Sequence, residues 1–433
     1  KVMEFFVRKE EINHMERNGL LSQCQFGFRE KRSTTLQLLH TIEKWTIYLE
    51  EGLPVDSCFL DLMKAFDKVP HNRLISKLKS YGIESETLQW IQSFLTNRWQ
   101  TVLVNGMKST PERVLSGVPQ GSVLGPTLFI LYINDMPENV LSNLALYADD
   151  AKLYRPIRDN SDVEQLQNDL DALVKWSDKW LVKFHPQKCT TMRVCNSGTE
   201  VPNFSYEMNA ADGRENLEWS SCEKDLGVLV DSELKFTLEI SSRVKKANQI
   251  AGVIRRTFSY LSNDMFLNLY KSLVRPHLEY AVSVWMPTLK KDIKAIESVQ
   301  RRATKMLPGL HNLSYPDRLR TLKLPTLVYR RHRGDMIETF KIMRGFYDID
   351  SSFFFTKSNN QQTRGHSQKL EKKAIRTRRR RNTFSQRIIN NWNNLPEEVV
   401  TAPSLNAFKN RLDKHWRRIP VLYDWEATEA HAQ

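Results

Sequence analysis

The chain has 433 residues, 40% of them hydrophobic, which suits two or three folded domains and excludes a disordered protein. Lys and Arg outnumber Asp and Glu by 64 to 50, so the net charge of +14 favours a polyanionic partner, although a ribosomal or membrane-surface protein would share it. The five cysteines lack zinc-site spacing, and we find no secretory leader or membrane-length apolar stretch, so we expect reduced thiols and an intracellular protein without a membrane span.

The first fifty residues predict two helices joined by a basic loop. Phe5, Phe6, Ile12 and Met15 recur at roughly helical spacing before Asn18-Gly19 ends the first helix. Residues 25–32 contain one glycine and three basic residues, and they predict a cationic, partly flexible loop. Ser33-Thr34 then caps an amphipathic second helix.

Two acidic stretches carry the strongest chemical signal. Residues 55–62 predict a buried strand with Asp61 near its end, and residues 144–154 predict a tight hairpin whose turn carries Asp149 and Asp150. Adjacent carboxylates repel one another and need a cation when buried, although an Asp-Asp surface turn is the plainer interpretation of the pair alone. If the strand lies beside the hairpin, the three carboxylates converge and could hold two metal ions ~3.5–4 Å apart.

The segment between these stretches predicts helices, a hairpin and a loop. Residues 71–81 and 84–96 read as helices, with Gly82 capping the first, and residues 100–107 read as a strand entering an Asn-Gly turn. Glycines and prolines in 116–126 would let the backbone approach a ligand closely, or would make a plain connector. The apolar run 128–133 indicates a buried helix behind that loop.

Beyond the hairpin the chain is mostly helical. Ser161 and Glu164 predict a capping box opening a long helix. Residues 196–216 predict a polar insertion before a strand at 226–230, and further helices are expected at 238–258, 264–274 and 292–307. Residues 351–367 predict a loop or disorder. The basic run 369–381 suits a solvated tail, a nuclear-import signal or a phosphate-binding arm, and a small folded unit follows it.

Three ordered segments resemble motifs A, B and C of the reverse transcriptases of animal non-long-terminal-repeat (LINE-type) retrotransposons. They read FLDLMKAFDKV, SGVPQGSVLGP and YADD. Flanking segments agree: QFGFREKRSTTLQLL at 25–39, WLVKFHPQKC at 180–189, which corresponds to motif D, and LGVLVDSELKF at 226–236, which begins a hairpin that resembles the primer grip. The resemblance therefore extends over most of the chain.

The resemblance implies an α+β right-hand polymerase with an antiparallel-sheet palm. The reverse transcriptase domain would span 1–235, with partial fingers at 1–50 and the palm at 51–235. A helical thumb and connection would follow at 236–345, a basic linker at 346–383 and a small C-terminal helical unit at 384–433. The chain begins at Lys1 and already looks mid-domain, so we expect a fragment without its upstream fingers segment.

The implied activity is RNA-directed DNA polymerisation with two Mg²⁺ ions, or Mn²⁺ as an alternative. The partners would be an RNA template, a DNA primer and deoxynucleoside triphosphates, in the nucleus during activity and the cytoplasm before it, with the oligomeric state left open. A catalytically inactive remnant that only binds RNA or DNA is the competing hypothesis. A polymerase that copies only DNA is the third, and it shares the metal chemistry without this motif set.

The resemblance also implies roles for individual residues. Asp61, Asp149 and Asp150 would bind metal, and Lys188 would be the general acid for the leaving pyrophosphate. The substrate-binding residues would be Arg29 and Arg32 at the triphosphate, Phe66 as the gate against a ribose 2′-hydroxyl, and Gln120 and Gly121 beneath the incoming nucleotide. Plainer interpretations are a solvated loop for the arginines, a surface lysine for Lys188 and core packing for Phe66.

Overall fold

The computed structural model describes residues 1–196, 204–210, 213–358 and 365–427. The chain forms two units: Lys1–Gln37 with Gly52–Ser221, and Leu38–Glu51 with Cys222–Gln433. The division falls at Ser221 and not at the expected residue 235, because a hairpin at 222–231 is bonded to the helix that follows it. Leu229 N in this hairpin donates to Glu239 Oε2 over 2.9 Å.

The first unit contains seven helices among the described residues, counting the start of one that continues into the second unit. They are α1 (Val2–Arg17), α2 (Thr34–Glu50), α3 (Ala65–Lys68), α4 (His71–Ser80), α5 (Ser85–Leu95), α6 (Gly125–Tyr132) and α7 (Asn160–Trp180). Its strands are β1 (Val55–Leu60), β2 (Trp99–Gln100), β3 (Leu103–Val104), β4 (Met107–Lys108), β5 (Glu112–Arg113), β6 (Asn143–Tyr147), β7 (Asp150–Pro156), β8 (Thr190–Val194), β9 (Glu207–Ala210), β10 (Gly213–Asn216) and β11 (Glu218–Trp219).

A five-stranded sheet in the order β11-β8-β1-β7-β6 carries the first unit. Strand β1 lies at its centre and pairs antiparallel with both β7 and β8, with Leu60 opposite Ala151. Strands β6 and β7 form the predicted hairpin, in which Tyr147 pairs with Asp150. The central position of β1 explains its burial, and its one interior carboxylate, Asp56, is fully buried and paired with Arg193 over 2.6 and 2.7 Å.

Every residue of helix α6 except Pro126 is buried, as its apolar run predicts. Helix α7 packs on β7 with Leu166, Leu170 and Leu173 buried. Its N-cap is Asp159 and not the predicted Ser161, because the Asp159 carboxylate accepts from Ser161 N over 2.9 Å. In α1, Ile12 and Met15 are buried as expected, but Phe5 and Phe6 are exposed, so the predicted apolar face covers only the second half of that helix.

The predicted polar insertion at 196–216 is partly regular. Strands β9 and β10 pair antiparallel with Glu207 opposite Asn216, and Met208 is fully buried. Residues 197–203 and 211–212 lie outside the described part of the chain. The apolar Tyr206, Met208 and Leu217 gave the insertion a buried face that its polar composition concealed.

The second unit continues α2 from Leu38 and adds a hairpin and many helices. The hairpin strands are β12 (Cys222–Asp225) and β13 (Val228–Asp231). The helices are α8 (Thr237–Thr257), α9 (Asn263–Leu269), α10 (Arg275–Glu279), α11 (Val282–Trp285), α12 (Lys290–Thr304), α13 (Tyr315–Leu322), α14 (Leu327–Met343), α15 (Arg378–Arg381), α16 (Phe384–Arg387), α17 (Ile389–Asn393), α18 (Glu397–Val400) and α19 (Leu405–His415). A π-helical turn, Tyr270–Val274, joins α9 to α10.

The C-terminal residues share a core with the preceding helices and do not form the separate unit expected at 384–433. Phe408 of α19 stacks on Phe340 of α14 at 4.2 Å between ring centroids. Asp413 receives two hydrogen bonds from Arg333 over 2.5 and 2.7 Å. These contacts pack helix α19 against helix α14.

The expected basic linker and loop are also more ordered than their composition suggests. Phe354 and Phe355 are buried, and residues 357 and 370 form a β-bridge, whereas 359–364 lie outside the described residues. Arg380 is buried and pairs with Glu43 of α2 over 2.5 Å, so it is not part of a solvated arm. Arg378 and Arg381 remain exposed.

Two global features follow from the described residues. No helix among them combines the length and the apolar character that a bilayer-spanning segment needs. Likewise, no disulfide joins any of the five cysteines, three of which are buried.

Candidate active site

The turn that carries Asp149 is fixed by the segment expected to be a flexible basic loop. Phe26 N donates to Leu146 O over 2.8 Å, so this segment pairs with the edge of β6. The buried side chain of Gln25 accepts from both Gly27 N (2.7 Å) and Ala148 N (2.9 Å). A Cβ on Gly27 would lie 2.4 Å from Ala148 N, so only glycine permits this approach. The loop is therefore a rigid clamp on the turn.

Asp61 directly follows β1, next to the hairpin. Extending the register of Leu60 opposite Ala151 by one residue places Asp61 opposite Asp150. The Asp61 backbone is held on its other side, where its oxygen accepts from His185 N over 2.8 Å and its nitrogen donates to Cys189 Sγ over 3.4 Å. Motif A and the segment resembling motif D thus position this aspartate together.

Asp61 and Asp149 interact through their charges. Burial raises the pKa of half-buried Asp149 above its ordinary value, and the negative charge of Asp61 raises it further. Two carboxylates in this relation favour a cation between them, and hard oxygen ligands suit Mg²⁺, which commonly takes one or two carboxylates together with substrate phosphates. The pair therefore fits a magnesium site.

Asp150 does not join this pair in a three-carboxylate cluster. Within the described ranges, no group of three His, Cys, Asp or Glu side chains could hold a metal ion. Asp150 is exposed and opens strand β7, whereas Asp149 lies in the turn before it. A charge interaction links Asp61 to Asp149, and the expected cluster of all three aspartates is not found among the described residues.

The structure brings Lys188 to the same place. Its Nζ lies 3.6 Å from Asp61 Oδ2, and both side chains are largely accessible. Lys188 ends a short 3₁₀ turn, Pro186–Lys188, immediately before β8, which pairs with β1. The pairing of β8 with β1 thus places the Lys188 ammonium group beside the Asp61 carboxylate.

Phe66 lies between two other aromatic rings. It stacks on buried Phe129 of α6 at 4.3 Å between ring centroids, and Phe28 meets it edge-on at 6.3 Å. Phe66 itself is partly exposed. The ring therefore packs against the core on one side and remains accessible on another, which accommodates both interpretations of this residue.

The glycine-rich loop is fastened to α3, the helix that carries Phe66. Gln120 Nε2 donates to Asp67 Oδ1 over 2.8 Å, and Val118 N donates to Phe66 O over 2.8 Å. A Cβ on Gly117 would lie 2.8 Å from Asp67 backbone atoms, so this glycine is required by close packing. Gly121 has a φ of +78° with open space around it. Gln120 and Gly121 are both exposed.

Arg29 and Arg32 are engaged by their own loop. Arg29 is buried, and its Nη1 donates to Ser22 O over 2.8 Å. Arg32 donates to Gln23 O over 2.7 Å and lies over the Phe26 ring at 4.8 Å. These contacts lie within residues 22–32, so both arginines support the loop in addition to any role toward a substrate.

No role was predicted for three residues that organise the site: Gln25, Asp67 and His71. His71 Nε2 lies 2.8 Å from Gly117 O, in the same glycine-rich loop whose Gln120 donates to Asp67. Gln25 and Asp67 lie inside the motif-like segments, and this was the one sequence signal that pointed to them. Their hydrogen-bond partners are distant in the chain, and no local pattern reveals such partners.

Known proteins resemble this chain over much of its length. It is 30% identical over 325 residues to the "RNA-directed DNA polymerase from mobile element jockey" of Drosophila funebris, a match that covers 71% of the chain and 34% of the relative. It is 29% identical over 324 residues to the "Probable RNA-directed DNA polymerase from transposon X-element" of Drosophila melanogaster, covering 71% and 34%. The chain thus spans about a third of the length of these relatives.

A solved structure and a family pattern complete the comparison. The structure of apo telomerase from Candida tropicalis aligns with a TM-score of 0.40 and 10% identity, covering 75% of this chain and 53% of that one. Residues 7–236 match the family described as "Reverse transcriptase (RNA-dependent DNA polymerase)", and this range contains Asp61, Asp149 and the glycine-rich loop. The chain belongs to the reverse transcriptase family.

Proposed function

We propose that this chain extends a DNA primer on an RNA template. The proposal rests on the strand pairing that brings Asp61, at the end of β1, next to the β6–β7 turn that carries Asp149, where the two carboxylates repel one another. Two carboxylates in this position, with an accessible ammonium 3.6 Å from one of them, suit phosphoryl-transfer chemistry. The matching family and the names of the relatives support the same activity.

Asp61 and Asp149 would hold the divalent cations, with Asp150 supporting them from the start of β7. When bound, such cations activate a hydroxyl nucleophile and neutralise charge on the leaving group. The protein's part is to fix the two carboxylates, which the Gln25 clamp and the His185 and Cys189 contacts do. Lys188 would donate a proton to the departing pyrophosphate and neutralise part of its charge.

The residues around Phe66 would position the incoming nucleotide. The exposed edge of Phe66 would contact the sugar, and its stack on Phe129 would keep the ring from yielding to a 2′-hydroxyl. Gln120 and Gly121 would lie beneath the base pair, with the Gln120 amide oriented by Asp67. Arg29 and Arg32 would contribute positive charge toward the triphosphate from the clamp loop.

We further propose that the chain has the palm, fingers and thumb of a right-hand polymerase. The five-stranded sheet of the first unit would be the palm, and residues 24–32 would belong to the fingers. Helices α8 to α12 of the second unit, whose exposed faces carry Arg255, Arg256 and Arg301, would be the thumb that contacts a duplex backbone.

Primer extension on matched RNA and DNA templates tests the proposal. A 5′-labelled DNA primer is annealed to each template and incubated with Mg²⁺ and the four deoxynucleotides, with EDTA and ribonucleotide-only reactions as controls. We expect Mg²⁺-dependent extension whose product follows the RNA template sequence. Binding of the primer–template without extension would instead identify an RNA- or DNA-binding remnant, and extension on DNA alone would identify a DNA-copying polymerase.

A further inference from the structure

A two-stranded ribbon outside the candidate active site is exposed along its whole length. Every residue from 97 to 113 is exposed. Strands β2 and β5 pair Trp99 with Arg113, and β3 and β4 pair Leu103 with Lys108. Backbone hydrogen bonds from Ser109 N to Val102 O and from Val114 N to Arg98 O, each 2.9 Å, join both pairs into one ribbon.

The ribbon carries an unusual share of exposed apolar surface. Its exposed fractions are 62% for Trp99, 63% for Leu103 and 79% for Met107, the last beside the turn formed by Asn105 and Gly106. Val102 and Val104 are each 60% exposed. A two-stranded ribbon cannot bury side chains on its own, and clustered exposed apolar residues mark interaction sites.

The charges of the ribbon indicate the chemistry of its partner. Arg98, Lys108 and Arg113 outnumber the single acid, Glu112. The Arg113 guanidinium lies 5.9 Å from the centre of the Trp99 ring, so the exposed indole is flanked by positive charge. An aromatic face beside arginines is the arrangement on which bases stack while phosphates meet cations.

We propose that this ribbon binds single-stranded nucleic acid. Trp99 would stack on a base, Arg98, Lys108 and Arg113 would contact phosphates, and Val104 and Met107 at the tip would pack against bases and sugars. The charge favours this partner over a second copy of the chain, since two ribbons would bring like charges together. The inference rests on the proposed function for its class of partner, but binding here requires neither Asp149 nor a nucleotide.

Affinity for a single-stranded RNA tests the aromatic contact. Binding of a fluorescein-labelled 20-nucleotide oligo(U) is followed by anisotropy without Mg²⁺ or nucleotide. Trp99→Ala should weaken binding about fivefold or more, because one lost stack is worth at least that factor. Trp99→Phe should recover most of the affinity. Leu141 is an apolar residue of the same unit that lies off the ribbon and is even more exposed, at 77%, and Leu141→Ala should leave the affinity unchanged. Unchanged affinity in Trp99→Ala would overturn the proposal.

The salt dependence tests the cations. Replacing Arg98, Lys108 and Arg113 with Gln should reduce the slope of log affinity against log salt by about two, since each single-strand phosphate contact contributes about 0.7. Glu112→Gln should not reduce it. A preserved slope in the triple variant would show that these residues do not contact phosphates.

Two further results separate the alternatives. Self-association that Val104→Asp with Met107→Asp abolishes, while RNA affinity stays unchanged, would make the ribbon an interface between copies and overturn the proposal. Normal RNA binding that depends on Trp99, in a protein that extends no primer, would contradict the proposed function and leave the ribbon assignment standing.

Discussion

At the scale of single residues, Asp149 lies where its ionised form is destabilised. Burial and the charge of Asp61 both raise its pKa, so the unliganded carboxylate costs the folded state free energy that a bound cation would recover. The backbone contacts from Gln25 and Leu146 hold the turn in place despite this cost. A carboxylate held in a position that destabilises its charge is typical of functional sites.

Phe66 provides a prediction about sugar selection. Phe66→Val should raise ribonucleotide use relative to deoxynucleotide use by about tenfold or more, since relief of a clash of about 1.4 kcal/mol gives that factor. The ratio of kcat/KM for matched ribo- and deoxynucleotides measures it. Phe66→Tyr keeps the ring and should keep the selectivity. An active Phe66→Val variant with an unchanged ratio would show that the ring serves only the stack on Phe129.

Glu11 provides a prediction about pH. It is buried in α1, both its oxygens lack a hydrogen-bond partner among the described residues, and burial raises its pKa from 4.5 to about 8. Between these values the folded protein keeps a proton that the unfolded chain releases, so stability falls as pH rises through this window. Glu11→Gln should remove a slope of about 1.4 kcal/mol per pH unit from the unfolding free energy.

Urea unfolding at pH 5, 6.5 and 8 measures this slope. The stabilising effect of Glu11→Gln over wild type should be greatest at pH 8 and should vanish toward pH 4.5. Glu10→Gln is the matched control, because Glu10 is the exposed neighbour on the same helix. Parallel pH profiles for Glu11→Gln and wild type would show that Glu11 is ionised and paired in the folded protein.

At the scale of elements, the sequence predicted those whose signals are local. The β6–β7 hairpin, the Asn105-Gly106 turn and the buried α6 all follow from patterns within about a dozen residues. The Gln25 loop was misjudged as flexible because its rigidity comes from Ala148 and Leu146, more than a hundred residues away. The approach that Gly27 permits is a property of packing that composition does not reveal.

The arginines of α15 differ in their burial and therefore in their expected effect on stability. Arg380 pairs with buried Glu43, and burial raises the pKa of Glu43 even though Arg380 opposes the shift. Arg380→Gln should therefore destabilise the second unit by about 3–5 kcal/mol, because it leaves a buried charge unpaired. Arg381→Gln, at an exposed position of the same helix, should change stability by less than about 0.5 kcal/mol. Urea unfolding measures both, and equal effects would contradict the assignment.

At the scale of the whole molecule, the ordered motif-like segments predicted the family that the comparisons show. They also predicted roles for Asp61, Asp149 and Lys188, and in the structure Lys188 Nζ lies 3.6 Å from Asp61, whose charge acts on Asp149. The predicted thumb, basic linker and C-terminal unit all lie within one compact unit, Leu38–Glu51 with Cys222–Gln433. Contacts such as Arg380 with Glu43 and Phe408 with Phe340 join segments that are far apart in the chain. Local sequence patterns do not predict such contacts.

Single-nucleotide addition to a primer on an RNA template tests whether Asp61 and Asp149 support the chemistry. Its rate is compared between wild type and Asp149→Asn. The substitution keeps the size of the side chain and removes one carboxylate of the Asp61–Asp149 pair. We predict Mg²⁺-dependent addition by wild type, at least about a thousandfold slower in Asp149→Asn, with unchanged primer–template affinity. Addition by Asp149→Asn within about tenfold of the wild-type rate would contradict the account.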